Sequence, residues 1–309
     1  MIIDCHTHLN DYDPEHPSSL AERIARLEGA MERNGVDYAL VLTSYTVNPH
    51  RPPTSEVLKA LEGKDRFGVV AGLSFSQYKQ RDLRELADEL AAKRIKGLKI
   101  YPGYESFFPH DPRLRVVYEL AAEFDVPVMV HSGDTFARTA KIKYAHPLQI
   151  DEVAVDFPEV KFVICHLGNP WFRDCMEVVY KNRNVYADLS GLVLGDFSSR
   201  FQGYLKKQLD DLLMFAGEPS WLLYGTDWPI CSMQSYVSFM SNLKLSQRDK
   251  DRILFENAAR LFKIALPAAP ALEATPPRLD EQSRRARARG ATRRPNVPKP
   301  PNSNRAPQG

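Results

Sequence analysis

The sequence predicts a (β/α)8 TIM barrel, and three observations point to it. Short apolar runs alternate with amphipathic stretches from the N-terminus to about residue 262. Eight such runs precede residue 225, as many as a closed barrel needs. Histidine, lysine and aspartate fall at the C-terminal ends of several of them, the face on which such barrels build their sites.

Met1–Asp4 reads as the first strand. Leu20–Asn34 follows as a helix, because Ile24, Leu27 and Met31 recur at spacings of three and four, and Gly35 stands where a helix stops. Tyr38–Thr43 and Phe67–Leu73 are the second and third strands, with a helix over Ser55–Leu61 between them. The next helix runs over about Asp82–Lys93, with Leu83, Leu86 and Leu90 in register, and Gly97–Tyr101 is the fourth strand. Pro112 sits near the first turn of a helix ending at Phe124, where its missing N–H costs nothing, and Val126–Val130 is the fifth strand. Helix Pro147–Asp156, strand Lys161–Cys165, helix Phe172–Tyr180 and strand Val185–Leu189 continue the alternation. A helical stretch near Gln202–Met214 precedes the eighth strand, Trp221–Tyr224, and the stretch Gln247–Phe262 is expected to complete the outer ring of helices.

Past Ile264 proline, alanine and arginine dominate and no apolar periodicity survives. Such a segment buries too little apolar surface to offset its ordering entropy. Residues 1–266 are therefore assigned to the barrel, and 267–309 are expected to be a disordered tail. The net charge of +2 is uneven: the tail holds nine Lys/Arg against three Asp/Glu, about +6, which leaves about −4 on the rest. A mildly acidic body argues against a nucleic acid partner, which calls for a basic surface. No apolar run approaches the roughly 18 residues that a membrane helix needs, and the start MIIDCHTHL lacks the pattern of a signal peptide. A cytoplasmic location is expected. Four scattered cysteines in such a chain predict no disulfide, and Cys5 and Cys165 are expected to pack on the outer face of their strands.

The chemistry lies at the strand ends. His6 and His8, two apart, point the same way on an extended chain and suit one cation through neutral imidazole nitrogens. His131, His166 and Asp227 end the fifth, sixth and eighth runs, inside His-Ser-Gly-Asp, His-Leu-Gly-Asn and Gly-Thr-Asp-Trp-Pro. Apolar strands ordinarily end in turn residues. Several ligand-type residues on one face are better explained by a metal than by coincidence.

The chain resembles the amidohydrolase superfamily, whose members begin with His-x-His on strand one and carry His on strands five and six and Asp on strand eight. It is most similar to the amidohydrolase-related branch that includes aminocarboxymuconate semialdehyde decarboxylase, resorcylate decarboxylases and lactone hydrolases. The resemblance rests on Ile3–His8, Gly97–Pro102, Val128–Gly133, Cys165–Gly168, Asn184–Ser190, Gly225–Pro229 and Asn257–Phe262, and covers about Met1 to Ile264. It implies an enzyme with one divalent metal per chain rather than two, Zn²⁺ being the expected ion, held by His6, His8, His131 and Asp227. Asp227 would double as a base for water, with His166 as an acid or electrostatic helper. Lys99, on strand four, would either contact a substrate carboxylate or, as in two-metal relatives, be carboxylated and bridge a second metal.

Arg138, Lys141, Lys143 and His146 make the loop after strand five basic, and Arg138 is the candidate there for an anionic substrate. Trp171 and Trp228 are candidate walls for an aromatic or alicyclic substrate, while Asp4 and Asp188 are expected to hold neighbouring groups in place. The function expected is metal-dependent hydrolysis of a small organic acid, such as a carboxylated lactone or amide, by a metal-activated water. The alternative is nonoxidative decarboxylation of a small aromatic or unsaturated acid at the same metal. A homodimer is implied by the resemblance alone.

Overall fold

The computed structural model describes residues 1–13 and 15–266; the expected tail at 267–309 lies outside them. Eight parallel strands pair in sequence order: β1 (Ile3–Thr7), β2 (Tyr38–Leu42), β3 (Phe67–Gly72), β4 (Ile95–Ile100), β5 (Val128–Val130), β6 (Phe162–Ile164), β7 (Val185–Asp188) and β8 (Leu222–Leu223). β8 returns to β1 through the Cys5 N–H, which donates to the Tyr224 carbonyl at 3.0 Å, and a bridge of Thr7 with Trp228. The expected TIM barrel is what the chain forms.

Local chemistry sets the element ends. α1 (Leu20–Asn34) starts at Ser19, whose hydroxyl accepts from the Glu22 N–H while the Glu22 carboxylate takes the Ser19 N–H. It stops at Gly35, whose φ of 65° suits a residue without Cβ. β1 runs further than its apolar residues suggest. Asp4, His6 and Thr7 are all buried, each hydrogen-bonded within the barrel: to Thr226, Asp188 and the Leu40 carbonyl respectively. Polar residues satisfied in this way leave no hydrophobic pattern to mark the strand.

The barrel interior corrects two expectations. Cys5 and Cys165 do not face outward: both belong to one buried cluster with Ile3, Leu42, Val70, Met129 and Leu223. Only the barrel's inner space can join side chains from so many separate strands. α10 (Asn257–Phe262) contributes Ala258 and Phe262 to the same cluster, so it closes the N-terminal end of the barrel instead of joining the outer ring. Burying a phenylalanine completely is worth about 1.5–3 kcal/mol, and Phe262 is 1% exposed. The outer helix after β8 is Met233–Asn242, α8, which the sequence reading passed over although Met233, Tyr236, Phe239 and Met240 form its buried face. Among the described residues no helix is long and apolar enough to cross a membrane.

Candidate metal centre

His6, His8 and Asp227 converge at the C-terminal mouth of the barrel, with ligand atoms all within 4.8 Å of one another. Each imidazole is oriented by its Nδ1. His6 Nδ1 meets Asp188 Oδ2 at 2.9 Å, and His8 Nδ1 meets the Leu42 carbonyl at 2.8 Å. These partners are acceptors, so each Nδ1 carries a proton, and in the neutral form that metal ligation requires each Nε2 presents a lone pair. The two lone pairs face one carboxylate oxygen, Asp227 Oδ1, at 3.8 and 3.2 Å. Acceptors opposed in this way repel unless a positive charge stands between them. His131 Nε2 is buried without a hydrogen-bond partner, an orphan that a metal would satisfy. The donor set of three imidazoles and one carboxylate suits a divalent cation such as Zn²⁺.

His166 stands beside this group, its ring 5.0 Å from that of His6 and 5.1 Å from that of His131. Its Nδ1 meets the Ser190 carbonyl at 3.0 Å, which leaves Nε2 for the cleft. Asp188 holds the arrangement together. Besides His6, it accepts from the N–H groups of His166 (2.9 Å) and Ser190 (3.0 Å) and from the Ser190 hydroxyl (2.5 Å). Asp4 does the same for the other side, accepting from Thr226 N–H and Oγ1. His166 and Asp227 both have left-handed backbones, φ 61° and 70°, a conformation that costs a non-glycine residue energy and clusters at functional positions. A Cβ on Gly191 would lie 2.3 Å from His166 Nδ1 and 2.9 Å from Asp227 Oδ2, so only glycine fits there.

Lys99 is 1% exposed, and its Nζ donates to Cys165 Sγ at 2.7 Å. It forms part of the floor of a narrow cleft of about 70 Å³ over the metal position. Tyr12, Tyr45, Tyr101 and Tyr104 line the cleft together with Arg51. The sequence reading assigned none of the five to the site: Tyr101 directly follows β4, and the other four come from loops whose residues carry no periodicity. The tryptophans are not brought to the cleft. Trp171 packs on His146, ring centroids 4.7 Å apart, and Trp228 turns toward Ala25, Arg26 and Gly29 of α1. Arg138 is exposed, and its loop instead contributes Phe136 and Ala137 to the cleft.

Burial fixes the charge states. It lowers the His6 pKa to about 3, with Lys99 adding to the shift, against the pull of Asp188 and Asp227. Burial likewise depresses His131, reinforced by His166 and Lys99, and His166 itself. For Asp188 and Asp227 burial acts upward but is overcome: the charge and hydrogen bond of His6 hold Asp188 well below the usual range, and His8 and His6 do so for Asp227. At Asp4, by contrast, burial prevails and raises the pKa to about 7. At neutral pH His6, His131 and His166 are neutral and Asp188 and Asp227 ionised, as metal ligation requires.

The sign of the pH dependence follows. A histidine depressed on folding binds its proton more readily in the unfolded chain, so stability is present above its ordinary pKa of about 6.5 and lost as pH falls. For His6 the loss extends down to about 3. Chelator-treated protein should therefore show a Tm that falls between about pH 6.5 and pH 5, where the three depressed histidines outweigh the opposite contribution of Asp4, whose pKa burial raises to about 7. A Tm that is flat or rises over that interval would contradict these charge states.

A TIM barrel in which His6, His8 and Asp227 could hold a cation at the C-terminal mouth has the layout of a metal-site barrel. The Amidohydro_2 family, described as Amidohydrolase, matches residues 3–264, and the chain is a member of that family. No curated protein matches the chain. Among solved structures it is similar to an uncharacterised TIM-barrel protein from Bordetella bronchiseptica (TM-score 0.66, 19% identity, 85% of this chain and 98% of that one). It is also similar to a protein assigned as a 2-pyrone-4,6-dicarboxylic acid hydrolase from Pseudomonas putida (0.62, 19%, 86% and 98%). A third is 5-carboxyvanillate decarboxylase from Sphingomonas paucimobilis (0.61, 15%, 85% and 99%). At these identities the likeness establishes the fold.

Proposed function

We propose that the protein is a metal-dependent hydrolase acting on a small carboxylated substrate such as a lactone or an amide. The observation that carries this reading is the Asp227 carboxylate, whose Oδ1 lies 3.8 and 3.2 Å from Nε2 of His6 and His8 at the bottom of a cleft. A divalent ion bound there supplies Lewis-acid polarisation and lowers the pKa of water toward neutrality. Asp227 is placed to take the proton of the attacking water. His166, fixed through Nδ1 by Ser190, presents Nε2 to pass a proton to the leaving group. A cleft of about 70 Å³ admits the reacting end of a small molecule and excludes a polymer.

Arg51 supports the carboxylate. Its guanidinium lies over the Tyr45 ring, 5.7 Å from the centroid, and donates to Ser44 Oγ at 3.2 Å, and its side chain lines the cleft. A planar fork of donors at the mouth suits a substrate carboxylate. Arg51→Met is expected to raise KM about 10- to 100-fold, the worth of a charge-assisted hydrogen bond, with kcat within a few-fold. Steady-state kinetics check this, and a loss confined to kcat would remove Arg51 from substrate binding.

A second reading, nonoxidative decarboxylation, is favoured by the tyrosine lining, which offers a planar acid aromatic faces to pack against. Product analysis on carboxylated lactones, amides and aromatic acids separates the two. Cleavage without CO₂ supports hydrolysis, and CO₂ release with proton uptake at carbon supports decarboxylation. Turnover of none of these classes by metal-loaded protein would overturn both.

A further inference from the structure

Lys99 and Cys165 meet inside the barrel, below the histidines. Lys99 comes from β4 and Cys165 follows β6, with β5 between them: Lys99 pairs with Met129, and Met129 with Val163. The side chains are 1% and 0% exposed, and Nζ lies 2.7 Å from Sγ. The Tyr101 ring also lies near Nζ, its centroid 5.3 Å away. Among the described residues no carboxylate lies within ion-pair distance of this lysine. A buried amine is ordinarily matched with an anion; here it is matched with a thiol.

We propose that this pair is a peroxide-responsive modification site, at which one oxygen atom becomes bonded to both Cys165 Sγ and Lys99 Nζ. The separation is too long for a bond and close to the span of a single atom bonded to both. An oxygen therefore enters without moving the packed strands. Access is from above: Lys99 lines the cleft of about 70 Å³, and a molecule of two oxygen atoms needs little more room than the roughly 30 Å³ share of a water.

The chemistry balances with hydrogen peroxide as oxidant. The first peroxide delivers oxygen to sulfur: its O–O bond breaks, the thiol becomes a sulfenic acid and one water leaves. A second peroxide removes one hydrogen from the sulfenic O–H and one from Nζ as the O–N bond forms, and departs as two waters. Thiol, amine and two peroxides thus give the Sγ–O–Nζ link and three waters. Sulfur and nitrogen are each oxidised by two electrons. A thiol reductant reverses the link. The link ties β4 to β6 and consumes the amine on the cleft floor. That it lowers activity rests on the functional reading above; the link itself does not.

The test is mass spectrometry of the full-length, metal-loaded protein after hydrogen peroxide treatment and digestion. The expected product is the Lys99 peptide joined to the Cys165 peptide, with one oxygen gained and two hydrogens lost. Dithiothreitol should release it, and Cys165→Ser and Lys99→Arg should not form it. The wild-type product is read directly, so the result does not depend on how either variant folds or on any activity. A sulfinic Cys165 with no linked peptide, or a linked pair without the added oxygen, would overturn the proposal. So would an unmodified Cys165 in protein whose Met214, 73% exposed, has been oxidised to the sulfoxide.

Discussion

Asp227→Asn is expected to lower kcat by about 10²- to 10⁴-fold, the range for loss of a positioned general base, while leaving the barrel folded. Asparagine keeps the shape of the side chain and tolerates the left-handed backbone at this position, where φ is 70°. What it removes is the negative charge that two imidazole lone pairs share at 3.2 and 3.8 Å. The amide retains an acceptor oxygen, so the metal should be weakened more than lost. Turnover at saturating metal, with circular dichroism as a control on folding, measures the effect. Activity within tenfold of wild type would exclude Asp227 as the base.

Asp188→Ala should act on metal binding before it acts on anything else. The carboxylate fixes the tautomer of His6 and accepts from the backbone N–H groups of His166 and Ser190. Loss of such a supporting group costs about 10- to 100-fold in metal affinity. Each buried donor left unpaired costs about 1–3 kcal/mol, so Tm should fall as well. Competition with a chelator of known affinity gives the metal Kd. An unchanged Kd with a lowered Tm would reduce Asp188 to a structural role and detach it from the ligand set.

Physical reasons separate what the sequence discloses from what it hides. α1 is legible to the residue because its ends carry local chemistry, the Ser19–Glu22 box and Gly35. β5, β6 and β8 are shorter than the apolar runs that announce them, since hydrogen bonding between strands ends before hydrophobicity does. The clustering of His6, His8, Asp227 and His166 is legible because strand ends in a barrel face a common mouth. Arg51, Tyr12, Tyr45 and Tyr104 are not, since loops carry no period and meet only once the barrel closes. Trp228 misleads for a local reason: the left-handed turn at Asp227 sends the next side chain toward α1. Cys165 misleads because strict alternation fails where β6 passes into the turn that carries His166.

The most direct test of the account is the metal content per chain of the purified protein, compared with His131→Ala and His166→Ala. The account predicts one divalent ion in the wild type, retained by His166→Ala and lost or sharply weakened in His131→Ala, whose Nε2 is the orphaned buried atom. Two ions in the wild type, with one lost in His166→Ala, would contradict the single-metal centre and return Lys99 to the role of a bridging ligand.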